Sequence, residues 1–163
     1  MRVDISREQS LGAPSLQLSF LRIWVHRRQF PDSLDFWDGN WLYITANYSS
    51  GDSSVWISGP CIHLSELDTW YNETTRLYQS LIGEAALKCM EPELDVQLKA
   101  ESLGHIVMTV QITPDHLNQF HRYRFELDQS YLPAFLAQLK TLLTEYPIRD
   151  PRQQLPVGSV THS

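Results

Sequence analysis

Two hydrophobic periods follow one another in residues 123–143. Apolar residues alternate with polar ones through Leu127, which predicts a half-buried strand. From Leu132 the spacing becomes helical, and the apolar stripe consists of Leu132, Phe135, Leu136, Leu139, Leu142 and Leu143. The polar residues between the two patterns suit a turn, with Ser130 as the helix N-cap. The stretch therefore predicts a strand, a turn and a helix, and Pro147 ends that helix.

Strand-like alternation recurs along the rest of the chain. The predicted strands are residues 15–25, 41–48, 54–62, 84–90, 94–100, 105–112 and 120–128. In the first of them the apolar positions change parity, which indicates either a bulge near Phe20 or Leu21 or burial on both faces. Gly59-Pro60 interrupts the third strand, so that strand is expected to lie at a sheet edge or to bend.

A second helix is predicted between the third and fourth strands. Ser65 and Asp68 have the spacing of a capping box, and Gly83 suits the residue after the helix end. Short connections between the strands favour antiparallel pairing. The predicted fold class is therefore α+β, with a large antiparallel sheet, curved or split, and two amphipathic helices. The predicted element order is β-β-β-α-β-β-β-β-α.

Length and composition restrict the possible classes. A chain of 163 residues predicts one domain, assigned to residues 15–146, with a flexible N-terminal arm at 1–14 and a flexible tail at 147–163. A net charge of −6 argues against nucleic acid as a partner, and the absence of a long apolar run argues against a membrane. Two cysteines form no disulfide framework, and no export signal is visible, which predicts a cytoplasmic protein.

The sequence contains none of the familiar catalytic or nucleotide-binding signatures, so no catalytic residue, metal or cofactor is predicted. One alternative is a zinc-binding domain or a small metal-dependent enzyme. Cys61 and His63 are two residues apart on a predicted strand, and Cys89 or His105 would supply a further ligand. The competing interpretation is a buried thiol beside a histidine.

Charge and aromatic residues are unevenly distributed. Residues 31–75 contain no Lys or Arg, seven Asp or Glu, and four of the five tryptophans. Such a segment suits a basic protein partner, because the acids speed association and the rings anchor it. The predicted partner-binding residues are Asp35, Trp37, Asp38 and Trp41. The alternative is that the tryptophans fill the core, as expected for Trp70, whereas Trp37 is the tryptophan expected to be exposed.

A third possibility is a structural module without an inhibitory role. Residues 54–62 form a predicted edge strand, and an exposed edge presents unpaired backbone groups to a second chain. The module would then form a homodimer through this strand.

Four sequence blocks resemble a family of small bacterial proteins. The blocks are residues 36–42 (FWDGNWL), 81–85 (LIGEA), 104–105 (GH) and 125–133 (FELDQSYLP). The chain is similar to the WapI-like immunity proteins over about residues 16–146. The resemblance implies a cytoplasmic protein without catalytic activity that binds and blocks a cognate toxin. A nuclease toxin would present a basic surface that the acidic segment could occupy. The resemblance supplies no contact residues.

Overall fold

The computed structural model describes residues 5–153 of the chain, and it contains three α-helices and eight strands. The helices are α1 (Ile5–Leu11), α2 (Leu64–Ser80) and α3 (Leu132–Glu145). The strands are β1 (Leu16–Leu18), β2 (Leu21–Arg28), β3 (Trp41–Ser50), β4 (Ser53–His63), β5 (Glu84–Lys88), β6 (Leu94–Ala100), β7 (His105–Ile112) and β8 (Arg122–Asp128). They form two four-stranded antiparallel sheets, β1-β2-β3-β4 and β5-β6-β7-β8. The α+β class with antiparallel pairing is confirmed.

The second sheet follows directly from its hydrophobic alternation. Every second residue is buried from Leu94 to Leu98 on β6 and from Ile106 to Ile112 on β7. The cross-strand pairs Val96↔Val110 and Leu98↔Met108 stack these residues on one face. Burial of one such side chain stabilises the fold by about 1.5–3 kcal/mol. A one-residue shift of register would turn the whole apolar set to solvent, so the pattern fixes the pairing.

The prediction of one strand over residues 15–25 is wrong. β1 and β2 are two strands that pair as a hairpin, with Leu18 opposite Leu21 and Leu16 opposite Ile23. The loop is Ser19-Phe20, and Ser19 has a positive φ of 54° that reverses the chain within two residues. The parity change thus marks a reversal of direction. The observed order has one strand more than predicted: β-β-β-β-α-β-β-β-β-α without α1.

β4 lies at the edge of the first sheet, as the Gly59-Pro60 interruption predicted. The register with β3 shifts between Leu42 and Ile44, opposite this dipeptide, and Gly59 has a φ of 153°. A residue with a side chain rarely adopts that backbone conformation. Homodimer formation through this edge stays a prediction.

The α2 helix begins two residues earlier than its predicted capping box. His63 is the N-cap, its side chain accepts from Ser65 N–H, and Glu66 accepts from His63 N–H at 2.8 Å. The prediction failed because histidine is not among the usual N-cap residues. At the other end the left-handed residue is Leu81, with φ 56°, two residues before the predicted Gly83.

The two long helices pack on each other through Trp70 of α2 and Phe135 of α3, whose ring centroids lie 4.8 Å apart. Trp70 is fully buried, which confirms the expectation that it belongs to the core. At the corner between β8 and α3, the Asp128 carboxylate accepts from Ser130 N–H at 2.8 Å. Asp128 thus caps the short 3-10 turn Gln129–Tyr131 before α3. The N-cap of α3 is Tyr131, whose side chain makes no capping bond within residues 5–153, and not Ser130 as predicted.

The segment predicted as a flexible N-terminal arm contains α1, which contacts the first sheet. Glu8 forms an ion pair with Arg22 at 2.5 Å, and Trp24 Nε1–H donates to the Gly12 carbonyl at 3.0 Å. The guanidinium carbon of Arg7 lies 4.5 Å from the ring centroid of Trp56. Residues 1–4 and 154–163, which belong to the predicted arm and tail, lie outside the described residues. Within residues 5–153 no helix is both long and apolar enough to cross a membrane.

Candidate functional site

Residues 29–40, called here the aromatic loop, connect β2 to β3 and contain three of the four predicted partner-binding residues. Four large apolar side chains of this loop are exposed. They are Phe30 (47%), Leu34 (61%), Phe36 (37%) and Trp37 (52%). The carboxylates of Asp32, Asp35 and Asp38 belong to residues exposed beside them. Apolar anchors beside charged groups are the composition of a protein interface.

Asp35 organises the middle of the aromatic loop. Its carboxylate accepts from Asp38 N–H at 2.6 Å and from the Ser33 hydroxyl at 3.0 Å, and its carbonyl accepts from Gly39 N–H at 3.1 Å. The hydrogen bond from Asp38 N–H is the largest cause that lowers the pKa of Asp35. The carboxylate is therefore charged and shapes the loop, although it remains at the surface.

Glycine is required at position 39 by a close backbone approach. A Cβ atom placed there would lie 2.6 Å from the Ser33 carbonyl oxygen, which is shorter than real Cβ atoms show. Any larger residue must displace the loop backbone. The glycine of the FWDGNW block thus has a structural reason.

Asn40 connects the aromatic loop to the chain that follows α3. Its side chain is fully buried; Nδ2–H donates to the carbonyls of Phe36 at 2.6 Å and Arg149 at 2.8 Å. Its Oδ1 accepts from Arg149 N–H at 2.8 Å. A buried amide with three close partners fixes the positions of all three.

Arg28 lies beneath the same loop and is 8% exposed. Its guanidinium donates to the carbonyls of Gly39 at 2.7 Å and Pro147 at 2.5 Å. Burial is the main cause that lowers the pKa of Arg28, and the charge of Arg149 adds to it. Carbonyl dipoles compensate the buried cation here, as polar groups must in a low-dielectric interior.

The segment that has no Lys or Arg in the sequence therefore receives two cations through the fold. Besides Arg28, Arg149 reaches the loop, and its Nη1–H donates to the carbonyls of Pro31 at 2.6 Å and Ser33 at 2.7 Å. Among residues 5–153, neither guanidinium forms an ion pair with an acid of the loop. The loop acids keep their charge for solvent or a partner, while Arg149 partly offsets their field.

His63 forms the floor under the aromatic loop. Its Nε2 lies 3.2 Å from the Phe36 carbonyl and 3.1 Å from the Trp37 carbonyl, while its Nδ1 lies 3.2 Å from Ser65 N. Carbonyls only accept, so Nε2 carries a proton directed at them, while Nδ1 also lies 2.6 Å from the Ser65 hydroxyl oxygen. The Trp37 ring stacks on the imidazole at 5.3 Å, which presents the other face of Trp37 outward.

The four predicted contact residues come together but differ in accessibility. Trp41 is 9% exposed and meets Trp37 edge to face at 5.7 Å, so it supports Trp37 from below. Asp35 uses its carboxylate within the loop. Trp37 and Asp38 are the two whose side chains are most available to a partner. Their role in binding stays a prediction.

The geometry does not support the zinc alternative. Both ring nitrogens of His63 are engaged by Ser65 and by the carbonyls above the ring. Burial raises the pKa of the Cys61 thiol to about 12 and raises the pKa of Cys89 as well, which disfavours the thiolates that zinc needs. In the part of the chain that the structure describes, no group of three His, Cys, Asp or Glu could hold a metal ion.

Sequence reasoning missed two kinds of residue at this site. Phe30 and Leu34 add apolar surface, and large apolar residues in a predicted loop were a signal that could have found them. Arg28, which directly precedes the loop, and Arg149, which follows α3, both hold the loop through its backbone carbonyls. No local pattern identifies such contacts, because they depend on tertiary approach over more than a hundred residues for Arg149.

The family comparison adds a finding to this geometry. The model of the Immunity protein WapI-like family matches residues 14–147, most of the chain. The matched range contains both sheets, α2, α3 and the aromatic loop, and it ends before Arg149. No curated protein matches the sequence significantly. The resemblance drawn from the four sequence blocks is confirmed.

Proposed function

Because the chain belongs to the WapI-like immunity protein family, we propose that it binds and neutralises a cognate bacterial toxin through the aromatic loop. Immunity proteins are in general binding proteins and not enzymes. The proposed action is therefore occlusion of the toxin by a protein interface, without a chemical step.

One observation carries the choice of surface. The four apolar side chains of the aromatic loop are exposed although the loop backbone is held by buried polar contacts. A flexible loop loses conformational entropy when it binds a partner, and a loop that is already held in one conformation loses less. Exposed rings on a fixed backbone therefore suit an interface with few, strong anchors.

Charge supports a basic partner. Asp32 and Asp38 are exposed, and the low pKa of Asp35, caused mainly by the Asp38 N–H hydrogen bond, keeps a third negative charge at neutral pH. A nuclease toxin must hold nucleic acid and so presents cationic surface, which these acids complement. The proposed compartment is the cytoplasm, where free thiols such as Cys61 and Cys89 stay reduced.

A matched pair of charge reversals tests the proposal. Asp38→Lys changes the aromatic loop, and Asp52→Lys makes the same change in the turn at the other end of β3. Affinity for the toxin domain encoded beside this chain is measured by titration calorimetry at low and at high salt. We expect Asp38→Lys to weaken binding by about 10-fold at low salt, and less at high salt, because exposed charges are screened.

Asp52→Lys is expected to leave the affinity within about 2-fold, since rim and distant charges contribute little. Equal effects of the two reversals would contradict the choice of surface. Absence of any binding by the unmodified protein at low salt would contradict the proposed function itself.

A further inference from the structure

Residues 146–150, called here the C-terminal segment, lie against the aromatic loop and form one unit with it. We propose that Arg149 is a positioning residue for partner binding: it holds the first half of the aromatic loop in the conformation that presents Phe30 and Leu34. This inference rests on the proposed function of the loop. It adds a residue that lies beyond the matched family range of 14–147.

Arg149 makes four hydrogen bonds to the loop. Its backbone N–H and carbonyl are both bound by the Asn40 side chain at 2.8 Å. Its guanidinium Nη1 donates to the carbonyls of Pro31 and Ser33 at 2.6 and 2.7 Å. One residue thus connects the start and the end of the loop.

The two halves of the loop differ in the groups that hold their backbone, although the Asp35 carboxylate also accepts from the Ser33 hydroxyl at 3.0 Å. The second half is fixed by the Asp35 cap and by His63 under the carbonyls of Phe36 and Trp37. In the first half, the local backbone bond from Ser33 N–H to the Phe30 carbonyl is long, at 3.2 Å. Arg149 supplies the shorter bonds there, so the conformation of the first half depends on it.

The C-terminal segment is itself anchored, which lets Arg149 act as a fixed support. Tyr146 N–H caps α3 by donating to the Leu142 carbonyl at 2.8 Å, and Ile148 packs against the hydrophobic core. Arg28 donates to the Pro147 carbonyl between them. A support tied at three positions directly before residue 149 can restrain a loop that is otherwise exposed.

The experiment compares Arg149→Ala and Arg149→Lys with Arg152→Ala in the full chain. Arg152 belongs to the following turn and pairs with Asp150 at 3.0 Å, so its loss is a matched cation deletion. Hydrogen exchange of the free protein is measured on peptides spanning residues 29–40 and, as reference, 94–112. Affinity for the toxin domain encoded beside the chain is measured for the same variants.

We expect Arg149→Ala to speed exchange in residues 29–40 by about 10-fold while 94–112 is unchanged, because local opening does not involve the core strands. We expect affinity to fall by about 10-fold through the added cost of ordering the loop. Arg149→Lys keeps the charge without the planar fork and should be intermediate. Arg152→Ala should match the unmodified protein.

Unchanged exchange in residues 29–40 of Arg149→Ala would overturn the inference, as would faster exchange with unchanged affinity while Trp37→Ala still weakens binding. If Trp37→Ala, Asp38→Lys and Arg149→Ala all leave affinity unchanged, the proposed interface is wrong and this inference fails with it. The exchange measurement on the free protein separates these cases, since it requires no partner.

Discussion

The aromatic loop and the corner between β8 and α3 are both polar turns that belong to blocks of the family resemblance. At the corner, Asp128 accepts from Ser130 N–H, and the flanking Leu127, Leu132 and Phe135 are buried. These side chains of the corner therefore stabilise the fold, and its exposed ring is that of Tyr131. The corner directs its apolar side chains inward and its polar groups to each other.

The aromatic loop is also held by hydrogen bonds of its polar groups, although Gln29 Oε1 is buried without a partner in the described part of the chain, and it directs its apolar side chains outward. Asn40 and Arg28 are buried under it, whereas Leu34 and Trp37 are more than half exposed. Hydrogen bonds that hold the turn are thus common to both regions and do not distinguish them. The direction of the apolar residues does, because exposed rings cost free energy unless a partner covers them.

The largest expected difference between the two regions is the loss of stability when one hydrogen-bonding side chain is removed from each. Asn40→Ala removes four hydrogen bonds, to Phe36, Arg28 and both backbone groups of Arg149, so we expect it to lower the free energy of unfolding by about 3 kcal/mol. Ser130→Ala at the exposed corner should cost under about 1 kcal/mol. Urea unfolding measures both. Similar losses of unfolding free energy in the two variants would show that Asn40 stabilises its loop no more than Ser130 stabilises the corner.

Deletion of one exposed ring from each region sharpens the comparison. Trp37 is 52% exposed and Tyr131, at the corner, is 41% exposed. Trp37→Ala should weaken toxin binding by about 10- to 100-fold, since a central tryptophan is a typical hot spot, while Tyr131→Ala should change it little. Calorimetric titration of both variants checks this. A larger effect of Tyr131→Ala would move the interface to the corner.

Acid should loosen both regions through similar carboxylates. The pKa of Asp35 is lowered mainly by the hydrogen bond from Asp38 N–H, and that of Asp128 mainly by the Ser130 hydroxyl. A depressed pKa in the folded state means that the stabilisation is present above the ordinary value of about 3.9 and is lost as pH falls through the folded value. Below that range both turns lose a cap.

An NMR titration of the Asp38 and Ser130 amides should therefore give midpoints below about 3.9. Asp35→Asn and Asp128→Asn should each remove one of these transitions, and Asp35→Asn should also affect toxin binding at neutral pH. A midpoint above the ordinary value at either amide would contradict the assigned cap. This effect is the smallest, since both carboxylates lie at the surface.

The hydrophobic alternation of the sequence predicted the strands that bury one face in the core. The alternation in β6 and β7 predicted both strands at their observed bounds, because burial on one face leaves a period of two. The parity change at Ser19-Phe20 was visible but ambiguous, since a bulge and a tight reversal produce the same shift. The cap at His63 was missed because histidine is an uncommon cap.

The candidate site likewise contains features that the sequence predicted and features that it did not. Exposure of Trp37 was predicted from its position beside Asp38 in a polar loop, and 52% exposure confirms it. Burial of Trp41 and the contacts of Arg149 were not predictable, because both follow from chain segments that meet only in the folded protein. Residues 31–75 contain no Lys or Arg, but in the folded protein Arg149 lies against Pro31 and Ser33 of this segment.

The central claim is that the aromatic loop is the surface that contacts the toxin. Hydrogen exchange of the complex against the free protein tests it most directly, with peptides covering the whole chain. We expect slower exchange on toxin binding in residues 29–41 and in the C-terminal segment, with little change in the β8–α3 corner. Protection elsewhere with none in residues 29–41 would contradict it.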